Sequence, residues 1–224
     1  MLGPLPSGRH GLPREHVVRS QRLRLLRAAV TVAGSKGYAA TTVSELIGHA
    51  GVSRKTFYEQ FADREDCFLA AYDLVVARAL DGLRTACDVE VSWPERVRAA
   101  MGWALDALAA NPHEARVAFV EVLAAGPNAL ERRDRAFAAL TPLLAPGYDS
   151  APSAAAIPAS MPQAIVGALY ELIGSQVRRG AVAQLPELLP DLVFCALAPF
   201  LGPVAAAEVS VARVTRRARS GASS

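Results

Sequence analysis

Between Thr42 and Arg64 the chain reads TVSELIGHAGVSRKTFYEQFADR, and no other stretch constrains the fold as tightly. Thr42 and Glu45 stand at the spacing of a capping box, in which a hydroxyl and a carboxylate satisfy free N–H groups at a helix start. Gly51 is placed to end that helix, because glycine enters the left-handed region past a C-terminus without a Cβ clash. Ser53 then caps a second helix that runs to about Phe61. The order is helix, tight turn, helix. Neither helix is long enough to hold a core alone, so both must be mounted on other helices.

The second helix has one apolar side. Phe57 and Phe61 are four apart and share a face, with Val52 leading into it. At about 100° per residue, Lys55, Thr56 and Glu59 point away from that face, and Tyr58 and Gln60 flank it. Arg54 starts nearer the core side, but its length lets it reach out. A solvated amphipathic helix would show the same faces. The layout is also that of a helix-turn-helix reader, whose second helix enters the major groove of DNA. On that reading Thr42, Ser44, Ser53, Arg54, Lys55, Thr56, Tyr58, Gln60 and Arg64 are the candidate DNA contacts, because they offer charge, hydroxyl and amide groups to phosphates and base edges.

The flanking sequence separates the two readings. Gly37-Tyr38, Thr41-Thr42-Val43, Ala50-Gly51-Val52-Ser53, Thr56-Phe57-Tyr58, Phe61 and Asp63-Arg64-Glu65 together resemble the N-terminal domain of the TetR family of transcriptional regulators. The likeness spans roughly Val17 to Tyr72, and several spaced elements carry it. It implies an all-α fold of about nine helices. A three-helix helix-turn-helix domain (14–62) would precede a helical ligand-binding and dimerisation domain (63–204). It also implies a homodimer on a palindromic double-stranded operator, released by a small-molecule effector. Arg64 stands where the family usually has a phosphate-binding lysine.

Charge supports a head that meets a polyanion. Residues 1–66 carry ten basic and six acidic groups, whereas residues 67–212 carry ten and fifteen. Four arginines follow between Arg213 and Arg219. A basic head on an acidic body suits nucleic acid. Cys67, Cys87 and Cys195 lie far apart without metal spacing, which fits a reducing cytosol. The start carries Pro4, Pro6 and Gly8 instead of the apolar run of a signal peptide. Prolines break the long uncharged stretches, so neither is read as a membrane span.

Nothing in the sequence points to catalysis. His10, His16, His49 and His113 are not at zinc-binding spacing, and there is no glycine-rich phosphate loop or nucleophile elbow. No metal or cofactor is expected. The other alternative is a DNA-binding adaptor governed by a protein partner, which would have a filled body without a cavity.

Along the chain, residues 1–13 read as disordered, rich in Pro and Gly. A first helix runs from about Arg14 to Lys36. Asp63 with Asp66 starts a long fourth helix reaching about Cys87. Ser92 and Glu95 start a fifth, and Asn111-Pro112 starts a sixth. Gly126-Pro127 precedes a helix to about Leu144. Ala145–Met161 reads as a loop, and two more helices cover about Pro162–Arg179 and Pro186–Leu201. Residues 205–224 read as a basic tail. Trp103, Phe119, Glu121 and Tyr170 are the candidates to line a mainly apolar ligand pocket. Glu121 shares a helical face with Glu114, so solvent is its default surrounding. The final helix is apolar nearly all round, and Gly167 and Gly174 stand seven apart, which fits close approach of a partner helix, a kink at Gly174, or plain surface. Gly167, Gly174, Leu192 and Cys195 are therefore the candidate dimer contacts.

Overall fold

The computed structural model of the chain describes residues 14–87 and 91–212, and every regular element among them is helical. The expected disordered start and the arginines from Arg213 onward lie outside the described residues. The head begins with α1 (Arg14–Lys36), followed by α2 (Val43–Ala50) and α3 (Arg54–Gln60). α4 (Arg64–Cys87) then runs out of it. α1 stops at Gly37, whose φ of +94° is closed to most other residues. Leu25, Ala29, Val32 and Ala33 of α1 meet Leu46 of α2, Phe57 of α3 and Phe68 of α4 in one buried core. Removing a side chain as large as Phe57 from water contributes about 1.5–3 kcal/mol. Cys67 is part of this core, and burial pushes its thiol up to about 12.

The body is built on α5 (Trp93–Ala110). Next come α6 (Pro112–Arg116), a π-helical turn (Val117–Glu121) and α7 (Val122–Ala124), which form one interrupted rod. α8 (Pro127–Leu140), α9 (Gly147–Ser150), α10 (Met161–Arg178), α11 (Leu189–Leu201) and α12 (Pro203–Val211) complete it. Trp93, Val97, Ile165, Val193, Leu197 and Phe200 fill one body core, and Leu105, Ala115, Val177, Leu185 and Leu192 fill a second. The stretch Val182–Leu201 is long and apolar enough to cross a membrane by composition. It is split here between a 3-10 turn (Val182–Leu188) and α11, and it supplies both body cores.

Two expectations change. The stretch read as a loop after Ala145 contains α9. Tyr148 packs edge-on against Phe200, and Trp93 Nε1 donates to the Leu143 carbonyl at 3.1 Å. Residues 205–211 of the segment read as tail belong instead to α12. Ala206 is buried there, and Arg98 donates to the Ser210 carbonyl. That helix starts beyond Gly202 at φ +79° with a proline in its first turn, so its boundary lies inside a run of small residues.

Candidate nucleic-acid interface and ligand cavity

The reader is set by its caps. The Thr42 N–H and hydroxyl donate to Glu45 Oε2 at 3.0 and 2.7 Å, and the Glu45 N–H donates back to Thr42 Oγ1 at 3.3 Å. Lys36 pairs with the same carboxylate; Lys36 and Thr42 together hold its pKa down to about 2. Gly51 ends α2 in the left-handed region at φ +60°. The Ser53 hydroxyl accepts the Thr56 N–H at 3.0 Å and lies 2.9 Å from Thr56 Oγ1. Arg54 donates to Ser44 Oγ at 3.0 Å, which ties α3 to α2 across the turn. Lys55 is 85% exposed, with Glu59 4.0 Å away, and Tyr58 is half-exposed. Ser44, Ser53, Arg54, Lys55 and Tyr58 thus form one exposed polar surface, flanked by half-buried Thr56 and Gln60.

Three arginines hold this unit from behind. Arg24 Nε donates to the Ala50 carbonyl at 2.7 Å, and its Nη2 reaches the Gly51 carbonyl, where the end of α2 leaves acceptors free. Arg22 donates to the Gln60 carbonyl at 2.9 Å and lies over the Phe61 ring. Arg64 is the third. Its Nη1 donates to the carbonyls of Tyr38, Ala39 and Thr41 at 3.3, 3.2 and 2.8 Å, with its guanidinium 4.4 Å from the Tyr38 ring centroid. This gives Nη1 a role in holding the turn between α1 and α2, beside the phosphate contact expected of Arg64.

The body encloses a cavity of about 380 Å³. α5 contributes Trp93, Val97, Ala100, Met101 and Ala104 to its wall, and α10 contributes Val166, Leu169, Tyr170 and Ile173. Phe119 and Phe137 close it from α6–α8. Phe119 stacks on Tyr170 at 4.8 Å between ring centroids. The Tyr170 hydroxyl donates to the Ala118 carbonyl at 3.1 Å, and burial raises its pKa to about 12. Arg96, half-buried, is the one charged residue in the wall, and among the described residues it has no carboxylate partner. Among those residues no cluster of His, Cys, Asp or Glu is arranged to hold a metal ion.

Residues 25–71 match the family model described as "Bacterial regulatory proteins, tetR family". In residues 25–71 the chain is thus similar to the head of TetR-family regulators. Over 100 residues it is 32% identical to the HTH-type transcriptional activator FasR of Mycolicibacterium smegmatis, which covers 44% of each chain. Over 77 residues it is 30% identical to the uncharacterized HTH-type regulator YezE of Bacillus subtilis, covering 34% of this chain and 38% of that one. These matches span less than half the length of the curated relatives. The fold likeness extends further. The fatty acid degradation regulator FadR of Bacillus halodurans superposes with a TM-score of 0.69 over 79% of this chain and 94% of its own, at 22% identity. FadR of Bacillus subtilis, solved with stearoyl-CoA, gives 0.69 over 80% and 98%, at 17% identity.

Below this head, the candidate pocket residues divide. Phe119 and Tyr170 line the cavity. Trp103 does not, because its indole packs on α4 against Gly82, where a Cβ would lie 1.9 Å from the ring. Glu121 does not either. The π-turn inserts a residue into the helical count and turns Glu121 inward, 5% exposed, toward the head. Its Oε2 accepts the Tyr38 N–H at 2.8 Å, and its Oε1 accepts Arg116 Nη2 at 2.7 Å. Two dimer candidates also face inward. Gly174 is buried, with a Cβ there 3.7 Å from Phe119, and Leu192 is 1% exposed in the cavity wall. Gly167 faces open space and Cys195 is half-buried. Reading the sequence alone missed Ala100 and Ala104, two small residues four apart, whose shared face leaves the space that the cavity fills.

Proposed function

We propose that the chain is a dimeric, ligand-responsive transcriptional regulator, a repressor released from a palindromic operator when an amphipathic anion enters its body. One observation carries this. A single chain presents an exposed polar reader on α2 and α3 and an apolar cavity behind it, with α4 running from one to the other. Ser44, Arg54, Lys55 and Tyr58 meet bases and phosphates in the major groove. The cavity has room for roughly a dozen water-sized groups, hence for about as many methylenes. Arg96 would take the anionic end, since a half-buried guanidinium binds carboxylate or phosphate in a forked geometry. The stearoyl-CoA in the Bacillus subtilis FadR structure supports an acyl chain of this kind. The adaptor alternative expected a filled body, and the cavity speaks against it.

The test uses the full chain and an operator selected from random duplex DNA. Lauroyl-CoA, stearoyl-CoA and lauryl alcohol are added in turn, with thermal unfolding and operator affinity as readouts. An acyl-CoA at a hundred times its Kd is expected to stabilise the fold by about 2.7 kcal/mol. It should also weaken operator binding by at least about tenfold, and Arg96→Gln should remove its advantage over the neutral alcohol. If neither acyl-CoA shifts unfolding, the acyl reading fails.

A further inference from the structure

We propose that Glu121 is the positioning residue through which occupancy of the cavity reaches the DNA reader, with the π-helical turn as the moving part. The inference rests on the ligand reading above, but part of its test is independent of any ligand. The π-turn lies between two cores. Val117 and Val122 are fully buried in the core shared with the head, whereas Phe119 and Val120 pack against a body core. Tyr170 holds its cavity side in two ways, by a ring stacked on Phe119 and a hydroxyl on the Ala118 carbonyl. Two residues after Phe119, Glu121 accepts the Tyr38 N–H.

Tyr38 is a pivot. Its amide is held from the body by Glu121, and its carbonyl and ring are held from α4 by Arg64. The turn that starts there delivers Thr42, the cap of α2. The contact is close on both sides. A Cβ at Gly37 would lie 3.5 Å from Glu121 Oε2, and one at Gly34 would lie 2.7 Å from the His113 backbone on α6. A ligand that displaces Phe119 therefore cannot leave the π-turn where it is. π-turns interconvert with regular helix by moving one residue of register, and such a shift rotates Glu121 away from Tyr38. The carboxylate is released from the head, and the turn that leads into α2 loses its tie to the body. Two packings of one short element are the kind of bistable part that links distant sites.

The experiment uses the full-length dimer, the selected operator and lauroyl-CoA as the probe, with its binding followed by tryptophan fluorescence. Amide exchange at Tyr38 and operator release are the readouts. In the wild type, lauroyl-CoA is expected to speed exchange at Tyr38 and weaken operator binding by at least about tenfold. Glu121→Leu should bind lauroyl-CoA as the wild type does yet show a release factor under about twofold. Glu121→Gln, which keeps an acceptor for Tyr38, should retain release. Tyr170→Phe, lacking one hydroxyl, should reduce the release factor at least threefold or so, and it decides the matter should Glu121→Leu not fold. Wild-type release in Glu121→Leu, or in Tyr170→Phe where the first is unfolded, overturns the proposal. Phe119→Ala supplies the ligand-free arm. Faster exchange at Tyr38 in that variant supports the coupling, and unchanged exchange overturns it. Should lauroyl-CoA not bind at all, the acyl reading falls while this arm still decides the role of the π-turn.

Discussion

Arg64 shows how far a residue's role depends on what lies behind it. Its charge and its place at the start of α4 suit a phosphate, and its Nη1 also donates to three carbonyls of the turn that carries Thr42. Hydrogen bonds to a charged group contribute about 1.5–3 kcal/mol. Arg64→Ala is therefore expected to destabilise the fold by about that amount in a denaturant titration. The slope of log affinity against log salt should fall by about 0.9, the share of the one phosphate contact expected of it. A wild-type slope with a lowered unfolding midpoint would confine Arg64 to the turn. The partners of Arg64 lie 23 to 26 positions earlier, which is why no local pattern exposes them. The Thr42–Glu45 and Ser53–Thr56 caps were legible because their partners are three residues apart. Glu121 was misread because one inserted residue in the π-turn changes which side of the helix it faces.

At the scale of elements, capping residues and prolines placed most helix starts, and the helical count placed the buried face of α3. What the helices enclose was not legible, because a cavity depends on which small residues of distant helices meet. The α4–α5 contact is the clearest case. Gly82 lies within a long helix, where glycine is disfavoured by about 1 kcal/mol against alanine. Its reason is Trp103, whose ring occupies the place of a Cβ at 1.9 Å. Gly82→Ala would improve helix propensity, yet it is expected to destabilise the protein by about 1–3 kcal/mol or more, because overpacking must push the helices apart. The check is a chemical unfolding curve read by tryptophan emission. An unchanged or higher midpoint would show that α4 slides on α5 without resistance.

For the whole molecule, the dimeric regulator proposed above raises the question of how two heads would be held on one operator. Successive half-sites in the major groove lie about 34–36 Å apart, so the seam between subunits sets the grip. Gly174 and Leu192 are taken up by the body, which leaves the outer faces of α10 and α11. Leu172 and Phe194 are 42% and 39% exposed there, and a side chain added at Gly167 would meet nothing. Twofold symmetry uses each such residue twice. A dimer would cover only the roughly two fifths of each side chain still exposed, about 0.6–1.2 kcal/mol apiece, so across four copies Leu172→Arg with Phe194→Arg removes roughly 2.4–5 kcal/mol. That weakens the dimer by about fiftyfold to a few thousandfold. The double variant is expected to sediment as a monomer at micromolar concentration and to keep its helical content. It should lose the full operator while a single half-site binds as weakly as before. Gly174→Leu is the contrasting case, since it would press on Phe119 inside the body and leave the dimer in place. If the double variant is still a dimer at nanomolar concentration, the seam lies elsewhere. The next surface to test would then be α12, where Val204 and Val211 are 74% and 72% exposed.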